Sequence, residues 1–182
     1  SLDGGGAERV MAALASRLSQ RSHQVTLVTL GDGNGDRHEL DALVRRCRLD
    51  LLFQQQGLLG KLSGNRRRIA ELRSTLTDLS PDVVLSFCDR TNILAGFACP
   101  KGVPLVLSER SDPSQQNLGR IWEWLRDRSY RRAQHLVALS DTSAEHLRRR
   151  FSVPLSVIPS AVDVPPISSD REIAKKNQLV IG

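Results

Sequence analysis

Four short stretches of this chain carry residues able to do chemistry at a surface: "DGGGAER" at 3–9, "RRR" at 66–68, "CDRTN" at 88–92 and "ERSDP" at 109–113. Gly4, Gly5 and Gly6 lead into apolar positions at Ala7, Val10, Met11, Leu14 and Leu18, the spacing of an amphipathic helix. Three glycines are costly where a helix must begin. Bare backbone at a helix N-terminus leaves N–H groups unpaired and open to an anion such as a phosphate. The competing reading is a tight turn with no ligand. Asp89 and Asn92 can hydrogen-bond hydroxyl groups and Arg90 can meet a phosphate, while Asp89 or Thr91 could equally cap the helix that follows. Glu109, Arg110 and Asp112 either pair among themselves or face a ligand. Arg66, Arg67 and Arg68, with Lys61 and Arg73, surround a helix whose other face is Ile69, Leu72, Leu76 and Leu79. Such a run is either a solvated face or an anion-binding one.

Other residue types exclude functions. His23, His38, His135 and His146 show no metal-ligand spacing with one another or with cysteine, so no metal site is expected. The three cysteines, Cys47, Cys88 and Cys99, are odd in number and widely spaced. That argues against a disulfide frame and for a reducing, cytosolic compartment. Cys88 reads as a small buried apolar residue. The net charge of +6 fits phosphates or anionic lipid, but aromatics are only 4%, too few for a platform on which bases stack. No apolar run approaches the length of a membrane span.

The elements that must position these residues alternate. Strand-like runs occur at 24–30, 47–53 (the weakest), 83–87, 105–108, 136–139 and 155–159. Helical patterns lie between them, including 91–98, 118–133 and 142–151. The last of these opens on a capping-box pattern, Thr142 with Glu145. Trp122 and Trp124 straddle one helix, so one of them faces the core and the other does not. Alternation of this kind predicts an α/β fold, a Rossmann-like parallel sheet with helices on both faces, and the continuous apolar strands suit burial on both sides. Ligands bind such sheets beyond the carboxyl ends of the strands, where "CDRTN", "ERSDP" and "SDTS" all fall. The glycine turn joins them if a strand precedes Ser1. A start without methionine and an end in the strand-like "QLVIG" read as a piece of a longer protein. Residues 1–163 read as one domain, and 164–182 as a linker and the start of another.

In order along the chain, "SLDGGGAERV", "VVLSFCDRTNILAGFA", "LVLSERSDP", "YRRAQHLVALSDTSAEHLR" and "VIPSAVDV" resemble the N-terminal half of family-4 retaining glycosyltransferases of the GT-B fold. More narrowly they resemble the bacterial branch that builds lipid-linked and surface polysaccharides, lipopolysaccharide among them. The resemblance implies an acceptor-binding Rossmann-like domain, with the first strand and the donor-binding domain lying outside this sequence. It implies transfer of a hexose-type sugar from a nucleotide-sugar, a UDP-sugar foremost, to a glycan or polyprenyl-diphosphate-linked acceptor. No cofactor is required, since the nucleotide-sugar is a substrate. It places Gly4, Gly5 and Gly6 at the donor diphosphate, and Asp89, Arg90, Asn92, Glu109, Arg110 and Asp112 on the acceptor side of the cleft. It names no catalytic side chain here, because the leaving phosphate can take the acceptor proton. The implied setting is peripheral, at the cytoplasmic face of the cell membrane, with Arg66, Arg67 and Arg68, aided by "RDRSYRR", on the membrane or lipid diphosphate. This chain by itself is then expected to be inactive. Ser111 replaces the asparagine usual in the "SERNDP" pattern, and Ser160-Ala161 replaces a hinge Asn-Pro or Asn-Gly. The alternative is a non-catalytic α/β module that binds a nucleotide or polyanion. A nucleic-acid binder ranks last, for want of an aromatic platform, a helix-turn-helix or a zinc frame.

Overall fold

Apolar runs too short for helices and helical stripes too long for strands sort the chain into alternating elements. The computed structural model describes residue 2 and residues 5–51, 57–112, 116 and 118–160. In order they form α1 (Gly6–Gln20), β1 (Thr26–Thr29), β2 (Arg45–Arg48), α2 (Gly57–Leu79), β3 (Val84–Phe87), α3 (Asp89–Ala98), β4 (Leu105–Ser108), α4 (Arg120–Tyr130), β5 (His135–Ala138), α5 (Asp141–Arg150) and β6 (Leu155–Val157). All strand pairs are parallel. β1 and β2 form one pair, and β3-β4-β5-β6 form a four-stranded sheet.

Alternation along β1 places helices on both of its faces. Leu27 packs in a cluster with Ala12 and Ala15 of α1, and Val28 packs in another with Leu72 and Leu76 of α2. In the four-stranded sheet each crossover advances one strand in the same direction, so right-handed connections put α3, α4 and α5 on one face. Their residues Ile93, Tyr130 and Leu147 share a core with Leu105, Leu107 and Leu136. The opposite face is less covered: Val83 and Leu85 are 54% and 40% exposed. The apolar run at 83–87 therefore does not mean burial on both sides at this edge of the sheet.

Two local expectations shift. The second strand is Arg45–Arg48 rather than a run starting at 47, residues 52 and 53 of the expected stretch lying outside the described residues, and it has no apolar signature because its side chains carry polar contacts instead. Arg46 and Arg48 reach Asp36 at 2.7 and 3.7 Å, and these contacts help hold its carboxyl below the usual range. The cap of α5 is Ser140, whose Oγ accepts the Ser143 N–H at 3.3 Å. Thr142 and Glu145 form no capping box there; Glu145 pairs with Arg149 one turn on.

α2 packs along α3, and α3 along α4, and the second contact is close. A Cβ on Gly96 of α3 would lie 2.6 Å from the Ser129 Cβ and 3.0 Å from its carbonyl oxygen. Arg132 fastens the same joint, donating to the carbonyls of Gly96 and Cys99 at 2.6 and 3.1 Å. Here a side chain has nowhere to go, because backbone faces it. Gly96→Ala should cost about 1–3 kcal/mol of stability, read as a lower urea midpoint with an unchanged secondary-structure spectrum.

Candidate functional site

The carboxyl ends of β3 and β4 lie side by side, Phe87 opposite Ser108, and the charge of Glu8 in the first turn of α1 is felt at Cys88 just beyond them. Gly5 is the N-cap of α1, and Gly6 is its first residue; Gly4 lies outside the described residues. Gly5 has φ −71° and ψ 160°, a conformation open to any residue. Among the described residues a Cβ on Gly6 would meet nothing within 4 Å, and the nearest atoms to one on Gly5 belong to the movable carboxylate of Glu8. The turn itself therefore does not account for glycine at either position. Both residues are exposed.

At the end of β3 the chain enters α3 with no intervening loop. Cys88 absorbs the change of direction at φ 68° and ψ 150°, a region that side-chain-bearing residues rarely adopt. Its N–H reaches the Ser108 carbonyl at 3.2 Å, and its own carbonyl accepts the Asn92 N–H at 2.7 Å. Burial, and then the negative charges of Glu8, Asp89 and Glu109, push its thiol up to about 11. It stays protonated near neutral pH and is no nucleophile.

The predicted acceptor residues divide into two groups. Asp89 accepts the Arg90 N–H at 2.6 Å, satisfying one orphan donor of the α3 first turn. Arg90 stacks over Trp122 at 5.4 Å with its guanidinium on an exposed side chain. Arg110 lies over Phe87 at 5.8 Å and donates to the Ser160 Oγ at 2.6 Å, across the carboxyl ends of the strands. Asp112 is half-buried and partnered. These four reach the surface.

Asn92 and Glu109 do not. Asn92 is 0% exposed, and its Nδ2 donates to the Ser108 carbonyl at 3.0 Å and to Tyr130 Oη at 3.3 Å. Glu109 is 1% exposed and accepts the Tyr130 hydroxyl proton. The expectation that both line the cleft is corrected: Asn92 Nδ2 and Glu109 Oε1 serve a junction between α3, the end of β4 and α4, while Asn92 Oδ1 and Glu109 Oε2 are buried without a hydrogen-bond partner among the described residues. Loss of hydration drives the Glu109 carboxyl above its usual range, against the hydrogen bond from Tyr130 and the nearby Arg126 charge. Arg126 is itself buried over the Tyr130 ring, and it donates to Gln116 at 3.1 Å and Glu123 at 3.4 Å. In the sequence Tyr130 and Arg126 stand out only as part of the basic stretch "RDRSYRR". One signal was present, since Tyr130 is the chain's single tyrosine.

On α2, Arg66 and Arg67 are exposed. Arg68 is a correction, because it is half-buried and donates to the Leu51 carbonyl at 2.9 Å and to Asn65 at 3.0 Å. It ties the helix to the segment that follows β2. Among the described residues no group of three or more His, Cys, Asp or Glu is placed to hold a metal ion, and no helix is long and apolar enough to cross a membrane.

The model of Glycosyltransferase Family 4 matches residues 4–165. Among individual proteins, the chain is 30% identical over 151 residues to the GalNAc-alpha-(1->4)-GalNAc-alpha-(1->3)-diNAcBac-PP-undecaprenol alpha-1,4-N-acetyl-D-galactosaminyltransferase of Campylobacter jejuni. The match covers 82% of this chain and 41% of that protein, so the chain spans less than half the length of this relative.

The buried carboxyl makes stability depend on pH in a definite direction. With its folded pKa raised, the folded protein holds this proton more tightly than the unfolded chain does. The contribution of Glu109 is therefore most favourable below the ordinary value of 4.5 and is lost as pH climbs through the raised one. Glu109→Gln keeps an acceptor for Tyr130 and has no proton to lose. Urea unfolding across this range should show stability of the variant relative to wild type rising with pH. A constant difference at every pH would contradict the burial effect.

Proposed function

The chain belongs to glycosyltransferase family 4, and from that premise we propose that it is the acceptor-side domain of a retaining enzyme that moves a sugar from a nucleotide-sugar to a lipid-linked glycan. The observation that carries this reading is the bare start of α1. Gly5 and Gly6 are exposed, and the fold gives no steric reason for Gly6 to lack a side chain. An incoming diphosphate supplies one, because it approaches backbone N–H groups to hydrogen-bond distance. As the sugar departs, charge grows on the diphosphate, and fixed donors there lower the barrier. Glu8, whose carboxylate now lies over Gly5, must swing aside to admit the anion.

In this reading residues 1–163 form the acceptor domain, and 164–182 lead toward a donor domain that holds the nucleotide, a UDP-sugar foremost. Asp89, Arg90, Arg110 and Asp112 offer hydrogen bonds and charge to the acceptor, while Asn92 and Glu109 hold the strand ends beneath them. The name of the Campylobacter relative specifies an acceptor on diphosphate-linked undecaprenol, and an acceptor of that class suits the exposed arginines of α2. Arg66 and Arg67 then meet the lipid diphosphate at the cytoplasmic face of the membrane, where each basic residue contributes about 1 kcal/mol near an anionic leaflet.

Two measurements on the protein with its donor domain test this. Gly6→Ala should raise the thermal midpoint slightly, since alanine is favoured over glycine in a helix by up to about 1 kcal/mol. Transfer should nevertheless fall roughly ten- to a hundredfold as the methyl displaces the diphosphate. Full activity in a stabilised variant would remove the diphosphate from this turn and favour a non-catalytic module. Arg66→Gln with Arg67→Gln should raise KM for a polyprenyl-diphosphate acceptor while leaving stability unchanged. An unaltered KM would return both arginines to plain surface.

A further inference from the structure

Apart from Arg128 and Arg131, which belong to the "RDRSYRR" stretch, the outer face of α4 carries large apolar residues to which the proposed function gives no role. Ile121 and Trp124 are 61% and 63% exposed. Arg120, Arg128 and Arg131 are exposed as well. At about 100° per residue these five positions fall within one arc of roughly 100°, and Arg131 continues the helical backbone at φ −64° and ψ −11°. The inner arc is Trp122, Arg126, Ser129 and Tyr130, packed against the core.

Charge on the helix is sorted in the same way. Its two acids are withdrawn from the outer face, since Arg150 of α5 binds Glu123 and Asp127, each at 2.6 Å. Arg126 is buried, and Arg132 is spent on the end of α3. Among the described residues Arg120, Arg128 and Arg131 form no ion pair. The outer face is thus two large apolar side chains set among three uncompensated guanidinium groups. A tryptophan among arginines on the outer arc of a helix matches the region between water and lipid tails, where the ring has one apolar and one wet side and the cations meet phosphate headgroups. A protein partner for this face would have to supply several carboxylates around an apolar pocket; an anionic leaflet supplies both together.

We propose that α4 lies on the surface of an anionic bilayer, with Trp124 and Ile121 inserted at headgroup level and Arg120, Arg128 and Arg131 on lipid phosphates. This deepens the reading of a lipid-linked acceptor and rests on it for its purpose. α4 and α2 both flank α3, so the face extends the contact assigned to Arg66 and Arg67 and turns a purely electrostatic approach into one with an apolar anchor.

The test uses the 182-residue chain with Trp122→Phe, which leaves Trp124 as the sole tryptophan of the two present, and vesicles that contain no acceptor. With phosphatidylglycerol–phosphatidylcholine vesicles, Trp124 emission should shift to shorter wavelength and the protein should co-sediment. Both effects should weaken with pure phosphatidylcholine and with high salt. In the same background, Ile121→Ser with Trp124→Ser should lower the bound fraction several-fold in sedimentation, with an unchanged melting curve because both side chains are exposed. An unshifted emission, or equal sedimentation of the serine variant, would overturn the proposal. So would a vesicle-independent, concentration-dependent self-association that the serine variant abolishes, since the face would then be a protein contact. None of these failures touches the lipid-linked acceptor itself, which is read separately from transfer by the enzyme with its donor domain.

Discussion

A carboxylate that water does not reach ties together the carboxyl end of the sheet. Burying an ionisable group costs several kcal/mol unless it is hydrogen-bonded and charge-compensated. Glu109 is tolerated because Tyr130 donates to it and Arg126 lies near. The Tyr130 hydroxyl also receives a bond from Asn92, which reaches on to the carbonyl of Ser108. One polar junction thus joins α3, β4 and α4. Leucines alone could fill that space, but dispersion is non-directional, whereas these bonds set the rotation of α4 about its own axis.

That rotation decides what the surface contains. With Arg126 and Tyr130 turned inward, Trp122 comes under Arg90, and Trp124 and Ile121 point away from the core. Arg126 also holds Gln116, which donates to Ser111, so the stretch after β4 is anchored to the same helix. Arg90 and Arg110 are in turn placed by aromatic rings, Trp122 and Phe87, beneath their guanidinium groups. Close packing of Gly96 on Ser129 leaves α4 little freedom to shift against α3.

The basic excess is divided between architecture and surface. Arg46 binds Asp36, Arg68 the Leu51 carbonyl, Arg73 the Phe97 carbonyl at 2.5 Å, and Arg150 two acids at once. A planar fork with five donors suits such fastening better than an ammonium group would. Composition therefore overstates how much positive charge is offered to partners. Exposed arginines stand on α2 (Arg66, Arg67) and on α4 (Arg120, Arg128), two helices that both pack on α3.

Much of the fold was legible in the sequence because its signals are local. Apolar periodicity placed α1, α4, the C-terminal part of α2 and the strands from β3 to β5 within a few residues, and the alternation of elements implied a parallel sheet before any pairing was known. The glycine-led helix start and the polar stretches after the strands were legible for the same reason. β2 was not, because a strand whose side chains are mostly arginine shows no apolar pattern. The strained Cys88, the Ser140 cap and the roles of Asn92, Glu109, Arg68 and Arg126 were decided only by the tertiary structure. Positions 92, 109 and 130 lie on three different elements, and a linear pattern says that a residue is polar without saying whether its partner will be solvent, ligand or another buried side chain. The glycines show the converse. Sequence alone established bare backbone at the start of α1, and the folded geometry showed that neither the φ of Gly5 nor the space around Gly6 demands it.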